Sequence, residues 1–460
     1  MRKTLVYSLL ISLCTLLLEG CASSAITDQA HSPSYPENWV RGGTEGDVSL
    51  NWLDSLNQPQ LPALVAEAIA NNYTLKQEKA RLFQAEQAVV ISKADRFPTV
   101  DVSLDGARRG SETTEGARLV NQDYNASLAG SWNIDLWGRL SKAQQAAQLT
   151  LAAQRARLES SQRTLAATTS RAVFTALEAR QLMEVARSRL DNTINSRGIV
   201  ERGYRQGLND ALDLYLAKNQ VEREQAGYAQ QQQAYIEAIA DLQLDLARYP
   251  DGNMQLNGEL PVIVDPLPAG LPSELLTRRA DLQEAWLNLL AADAELAVAH
   301  KARFPNLSLV GSTGVTSGKF IDLIEAGSSV WSLSAGLTQP LFNAGKLKAQ
   351  EEQVRAQVQQ LEQQYLDLVF RAFADVENAI SRASSLQSRY TAFLGAQVNS
   401  QAALELALEQ YQRGLVSYTT VLESQRQAFD AEATVVQLRN QLLQNRISLY
   451  LALGGEFSTE

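Results

Sequence analysis

The strongest constraint on this chain is that its body is written twice. Arg96-Phe97-Pro98 recurs as Arg303-Phe304-Pro305. Gly138-Arg139-Leu140 recurs as Gly345-Lys346-Leu347, and Tyr204-Arg205-Gln206-Gly207-Leu208 as Tyr411-Gln412-Arg413-Gly414-Leu415. Each landmark returns 207 positions on, as Phe97 does at Phe304 and Gly207 at Gly414. A fixed offset over three landmarks marks a tandem duplication, and a repeat decides the architecture wherever one exists. The joint, 249–271, opens Tyr249-Pro250-Asp251-Gly252; its Pro and Gly content makes it an irregular connector. The expected organisation is a first repeat over 62–248, the connector 249–271, a second repeat over 272–454 and a short tail, 455–460.

Both copies follow one order. A helical segment (62–94 and 272–302) leads into two strand-like runs, a very long helix (138–204 and 345–411) and a closing helix (210–248 and 417–453). In the first run, Val100, Val102 and Leu104 alternate with Thr99, Asp101, Ser103 and Asp105, the period of a two-faced strand. The second run is 124–132; the second copy supplies 306–311 and 330–337, with polar, Gly-rich loops between partners. At 1.5 Å per residue each long helix runs about 100 Å. Val354, Val358, Leu361, Tyr365, Leu368 and Ala372 step by four and three, a coiled-coil seam. Ala147, Leu151, Leu158, Leu165 and Ala172 keep a similar rhythm in the first copy.

The N-terminus is an address. Arg2 and Lys3 precede the apolar stretch from Leu5 to Leu18, which is too short to span a bilayer comfortably and has the form of a secretory signal, 1–20. It ends Leu18-Glu19-Gly20-Cys21, which resembles the bacterial lipobox and makes Cys21 a lipidation site at the head of a lipidated segment, 21–61. Ala22 in the next position fits outer-membrane sorting in the lipoprotein pattern. Cys14 leaves with the signal, so no disulfide pair remains.

Charge and composition exclude whole classes. The net charge is −10, so a phosphate-tracking groove and a nucleic-acid partner are not expected. Two Cys and two His (His31 and His300, far apart) exclude a multi-Cys zinc site or a His-rich metal cluster. Gly314-Val315-Thr316-Ser317-Gly318-Lys319 hints at a phosphate loop. Thr313 and Phe320 stand where Gly and Ser or Thr are needed. No catalytic constellation appears, so the expectation is a protein that is not an enzyme, with no cofactor beyond a covalent lipid on Cys21.

Four strands cannot close a membrane barrel. An open sheet strands backbone N–H and C=O groups in lipid, and membrane barrels begin at about eight strands. The alternation points to several chains pooling strands, lipid-facing side out and polar side in. Trp132, Trp137, Trp331 and Phe342 sit near strand ends, where membrane-interface aromatics belong.

With the duplication, the paired Tyr-x-x-Gly-Leu, the two Arg-Phe-Pro motifs and the stretch Gly270-Leu271-Pro272-Ser273-Glu274-Leu275-Leu276-Thr277-Arg278-Arg279-Ala280-Asp281-Leu282, the chain resembles the outer membrane factor family. The likeness is to TolC-like channels, in the lipoprotein branch of tripartite multidrug efflux systems. The resemblance implies a mainly α fold with a membrane β-barrel part. A homotrimer would pool four strands per chain into a twelve-strand outer-membrane barrel, and its helices would form a periplasmic tunnel, with the connector at the equator. It implies a passive exit duct for drugs and other small molecules. The implied partners are a periplasmic adaptor, an inner-membrane pump of the resistance-nodulation-division type and outer-membrane lipid.

The resemblance also implies site roles. Gly207, Leu208, Gly414, Leu415 and Val416 match the tips where adaptor hairpins dock. Asp213, Tyr411, Thr420 and Glu423 fall at the periplasmic gate; Thr420 replaces a usual acidic residue and Val416 a usual basic one. Glu423, as a ring of three, would attract cations. A type I protein-secretion conduit and a lipid-anchored periplasmic scaffold without channel activity are the alternative readings. The single Cys of the mature chain and the scarcity of Met argue against metal cargo.

Overall fold

The computed structural model describes residues 36–42, 52–112, 116, 118–262, 270, 272–325 and 328–455. The signal 1–20, Cys14, Cys21, Ala22, His31, Leu271 and 456–460 lie outside the described residues.

In chain order the elements are α1 (Leu61–Asn71), α2 (Tyr73–Ala94), β1 (Thr99–Glu112), β2 (Arg118–Ile134), α3 (Arg139–Arg205), α4 (Ala211–Asp245), α5 (Pro272–Arg278), α6 (Ala280–Lys301), β3 (Asn306–Ser317), α7 (Asp322–Glu325), β4 (Ser328–Thr338), α8 (Lys346–Gln412) and α9 (Tyr418–Ala452). The duplication is carried into the backbone: α8 and α9 begin and end 207 residues after α3 and α4. The long helices α3 and α8 are 67 residues each. No helix among the described residues is long and apolar enough to cross a membrane.

Two expectations need correction. The first helical segment of each copy is broken, at Asn72 and again at its counterpart Arg279. Asn72 leaves helical geometry (ψ 130°). Its Oδ1 accepts the Thr74 and Leu75 N–H groups at 2.9 and 3.2 Å, the work of an N-cap for α2. The strands also outrun their apolar cores. Paired residues run from Thr99 opposite Ser131 to Glu112 opposite Arg118, so polar and Gly residues expected in loops stay in the sheet. Gly314, in the near-match to a phosphate loop, is part of β3; a Cβ there would collide with the Ala126 carbonyl.

Contacts divide the chain into two units. One includes Arg81–Arg155 and Glu284–Leu366, the other Ala156–Gln283 and Asp367–Glu460. In the first, Trp286, Leu289, Ala292 and Leu296 of α6 pack on Val354, Val358 and Leu361 of α8, as that seam requires. In α3 the seam is displaced. The buried residues include Ala146, Ala153, Ala156, Ala166, Val173 and Leu177, while Ala147, Leu151, Leu158, Leu165 and Ala172 are half-buried flanks. Alanines let a neighbouring helix approach closely, so they become the contact line and the leucines straddle it. In the second unit the connector is irregular but fastened. Leu256 and Leu260 are buried, and the Arg180 guanidinium donates to the Leu256 and Gly258 carbonyls.

Candidate channel wall and gate

The four strands make one antiparallel sheet in the order β1-β2-β3-β4. Register carries the alternation of β1 across all of them. Val102 faces Leu128 and Leu104 faces Ala126; Trp132 faces Leu309; Leu309 faces Ala335 and Leu307 faces Leu337. One face is therefore predominantly apolar. On the other, hydroxyls bond across the strands, Thr99 to Ser131 at 2.9 Å, Ser103 to Ser127 at 2.8 Å and Ser312 to Ser332 at 2.8 Å. Asp101 and Asp105 share this polar face. Among the described residues nothing covers the apolar face: Val102 is 82% exposed and Leu333 69%. β1 and β4 are the outer strands, and among the described residues their outer edges have no pairing strand. Unpaired edges and bare apolar surface are costly in water.

The aromatics divide. Trp331 and Phe342 are largely exposed. Trp132, partly exposed, donates its Nε1–H to the Arg96 carbonyl at 2.9 Å. Trp137 is absorbed by packing instead: its indole bonds the Pro305 carbonyl at 2.8 Å and its ring lies 5.5 Å from that of Phe304. A buried Glu351 nearby gathers two guanidinium groups, Arg303 at 2.8 Å and Arg355 at 3.1 Å, and the His300 ring Nδ1 at 3.1 Å. Burial works to raise the Glu351 carboxyl, but Arg303 and His300 outweigh it and hold it below its usual range.

The turns joining α3 to α4 and α8 to α9 are built alike. Gly207 and Gly414 stand at φ +74° and +71°, a conformation that costs Gly nothing. Gly207 N–H bonds the Tyr204 carbonyl at 3.0 Å and Leu208 N–H the Gly203 carbonyl at 2.9 Å. Gly414 and Leu415 repeat both bonds, to Tyr411 and Gln410, at 2.9 Å. This is a Schellman helix end in each copy. It leaves Leu208 and Leu415 on the outside, 76% and 68% exposed, with Val416 half-buried beside them.

Behind the turns the four long helices meet in one apolar cluster, Val200, Ala217, Ala407, Tyr418 and Val421. The structure brings two of the expected gate residues together: the Tyr411 hydroxyl donates to Asp213 Oδ2 at 3.3 Å. Tyr418, which sequence reasoning missed, packs with its ring centroid 5.4 Å from that of Tyr411, the two planes tilted by 51°. Burial, with the Asp213 charge, pushes its hydroxyl up to about 12. No spacing rule singles out the first residue of a helix as a core tyrosine.

Thr420 and Glu423 lie elsewhere, exposed on α9, with Thr420 Oγ1 3.3 Å from Ser417 Oγ. Glu423 does not stand alone. Arg426, one turn on, reaches it at 2.6 Å, and Gln427 donates at 2.8 Å. These donors hold the carboxyl at about 2. The i,i+3 spacing of the pair was visible in the sequence.

The family model described as "Outer membrane efflux protein" matches residues 64–247 and 271–455, the two repeats. Among curated relatives, the "Pyoverdine export outer membrane protein OpmQ" of Pseudomonas aeruginosa is 29% identical over 478 residues, covering 98% of this chain and 97% of the relative. The "Probable outer membrane lipoprotein SilC" of Salmonella typhimurium is 28% identical, covering 97% and 98%. Among solved structures, CusC, named a cation efflux system protein in Escherichia coli, superposes with a TM-score of 0.81 at 26% identity. That match covers 92% of this chain and 99% of CusC.

Proposed function

Because the chain belongs to the outer membrane efflux protein family, we propose that it is the outer-membrane channel of a tripartite efflux pump, a passive duct closed at its periplasmic tip. It resides in the outer membrane and takes part in efflux. The observation that carries the channel reading is the sheet. It has one apolar and one polar face and two open edges. In lipid such a sheet is tolerable only as a segment of a closed barrel. The assembly is a homotrimer with twelve strands around one lumen, polar face inward, and the long helices continue as the periplasmic tunnel.

The finer assignments follow from this reading. The signal and Cys21 supply a lipid anchor, in keeping with a relative named a lipoprotein. The exposed Leu208 and Leu415 on rigid Schellman turns suit hydrophobic docking of a periplasmic adaptor. An inner-membrane pump, of the resistance-nodulation-division type, supplies the energy. Catalysis is no part of the role. Cargo is chosen by the pump, and the relatives' names, one for pyoverdine and one for cations, accord with a duct that does not choose.

Planar-bilayer recording of the purified protein tests the proposal. A channel gives discrete conductance steps; a periplasmic scaffold leaves the bilayer silent.

A further inference from the structure

In the second unit the N-terminal segment and the connector lie along one side of the long helices. The Trp39 ring stands edge-on to that of Phe373 on α8, 6.2 Å between centroids, and the Val40 N–H donates to Glu377 at 2.7 Å. Trp52 stacks on Tyr450 of α9 at 5.4 Å. Arg180 of α3 donates to the Leu256 and Gly258 carbonyls of the connector. A helix turns about 100° per residue. Arg171 on α3, Arg382 and Arg389 on α8, and Gln441 and Ser448 on α9 therefore fall on the opposite side.

That side holds a polar cleft of about 360 Å³ between α8 and α9, whose lining includes Arg382, Ser385, Arg389, Gln441 and Ser448. Arg382 and Arg389 are exposed and seven residues apart, about 10 Å along α8. Among the described residues neither makes an ion pair or a side-chain hydrogen bond. Arg171, half-buried, donates to Ser448 Oγ at 3.0 Å. Burial alone lowers its pKa, a penalty on the cation that no acid offsets. Residues 378–392 of α8 and 436–452 of α9 contain no Asp or Glu. Glu178 of α3 is taken by Asn440, and burial raises its carboxyl toward the neutral form. The amides of Gln444 and Asn445 are committed to the Arg171 and Ala379 carbonyls. The Ser385 hydroxyl and the Gln441 amide stay available as donors.

In a closed tunnel the side that carries the N-terminal segment and the connector is the outside, because three copies of these segments would fill the bore. The bare side then bounds the lumen. A chain of net charge −10 repels anions as a whole, so a local group of uncompensated guanidiniums on that side is a specific exception. Guanidinium forks match carboxylate and phosphate oxygens in pairs.

We propose that this cleft is a binding site in the tunnel wall for small oxyanions, carboxylates or phosphates. Arg382 and Arg389 clamp the ligand, Ser385 and Gln441 add hydrogen bonds, and Arg171 supplies a third positive charge beside Ser448. The spacing of the clamp suits a ligand with two or more anionic groups. The site gives anionic cargo a resting place in a duct whose net charge opposes it, open enough that the cargo leaves again. The inference rests on the channel reading and adds a ligand class to it.

Citrate is the probe, titrated calorimetrically into the purified full-length protein at constant ionic strength. The expected result is saturable binding, weakened about tenfold by Arg382→Gln or Arg389→Gln, each of which removes a charge-assisted hydrogen bond. Arg371→Gln, which removes an arginine already paired with Asp367 on the same helix, should leave the affinity unchanged. In planar bilayers citrate should reduce the current through the wild-type protein and have little effect on the Arg382→Gln, Arg389→Gln double variant. Absent binding, as expected if carboxylates of a neighbouring copy already neutralise these arginines, overturns the site. So does affinity that survives in both cleft variants, or that falls equally in Arg371→Gln. Citrate that binds without touching the current of a conducting channel overturns the placement in the lumen. Citrate binding by a protein that never conducts upholds the cleft and overturns the channel reading instead.

Discussion

The Tyr411 hydroxyl donates to the Asp213 carboxylate at 3.3 Å, tying the last turn of α8 to the first turn of α4 just behind both tip turns. The cluster it closes is built mainly from apolar side chains, Val200, Ala217, Ala407 and Val421, with Tyr418. If the tip gates as proposed, opening parts these helices, and the bond then favours the closed state alone.

Tyr411→Phe keeps the ring and its contact with Tyr418 while removing the donor. A hydrogen bond of this kind contributes about 1 kcal/mol, so open probability should rise about fivefold. Single-channel recording measures it. Asp213→Asn should be milder, because an amide oxygen still accepts. Equal, unchanged open probability in both variants would remove the bond from the gate.

Glu423 and Arg426 should act on selectivity in opposite directions. With the carboxyl held at about 2, the pair is fully charged at any physiological pH. Arg426→Gln unmasks the acid and should strengthen cation preference. Glu423→Gln unmasks the arginine and should weaken it. Reversal potentials in a salt gradient report both, and no shift in either variant would take these residues off the lumen.

The Glu351 cluster makes an acid-side prediction. Its folded-state pKa is depressed, so its stabilisation is complete above the unfolded glutamate value, about 4.3. It is lost as pH falls through the folded value. Glu351→Gln should cost about 2 kcal/mol at neutral pH, discounted because its cationic partners are partly exposed, and nothing at low pH. Thermal unfolding of the two proteins at pH 7 and below pH 4 measures the difference.

Substitution at Gly207 or Gly414 tests docking. Gly207→Glu or Gly414→Glu forces a side chain into a left-handed turn, at a cost of about 1–2 kcal/mol, and places charge beside the exposed leucine. Drug export should fall while trimer in the outer membrane persists. Unimpaired export would place adaptor docking elsewhere.

Much of this was legible in the residues. A duplication seen through Phe97 and Phe304 or Gly207 and Gly414 placed both ends of α3 and α8 within one residue, because Gly and the helix ends it permits are local properties. What escaped depends on neighbours. The strands run on to Glu112 and from Arg118 because a ladder carries polar residues that have no face to bury. The buried line of α3 falls on Ala146 and Ala153, not on Leu151, because a close-packed partner selects small side chains. The pairing of Glu423 with Arg426 one turn away also escaped, because each position was read by itself.

Native mass spectrometry of the protein extracted from outer membranes in mild detergent addresses the central claim most directly. Three chains per particle, with lipid-protected strands, is the result this structure requires. A stable single chain, with both sheet edges open in solution, would contradict it.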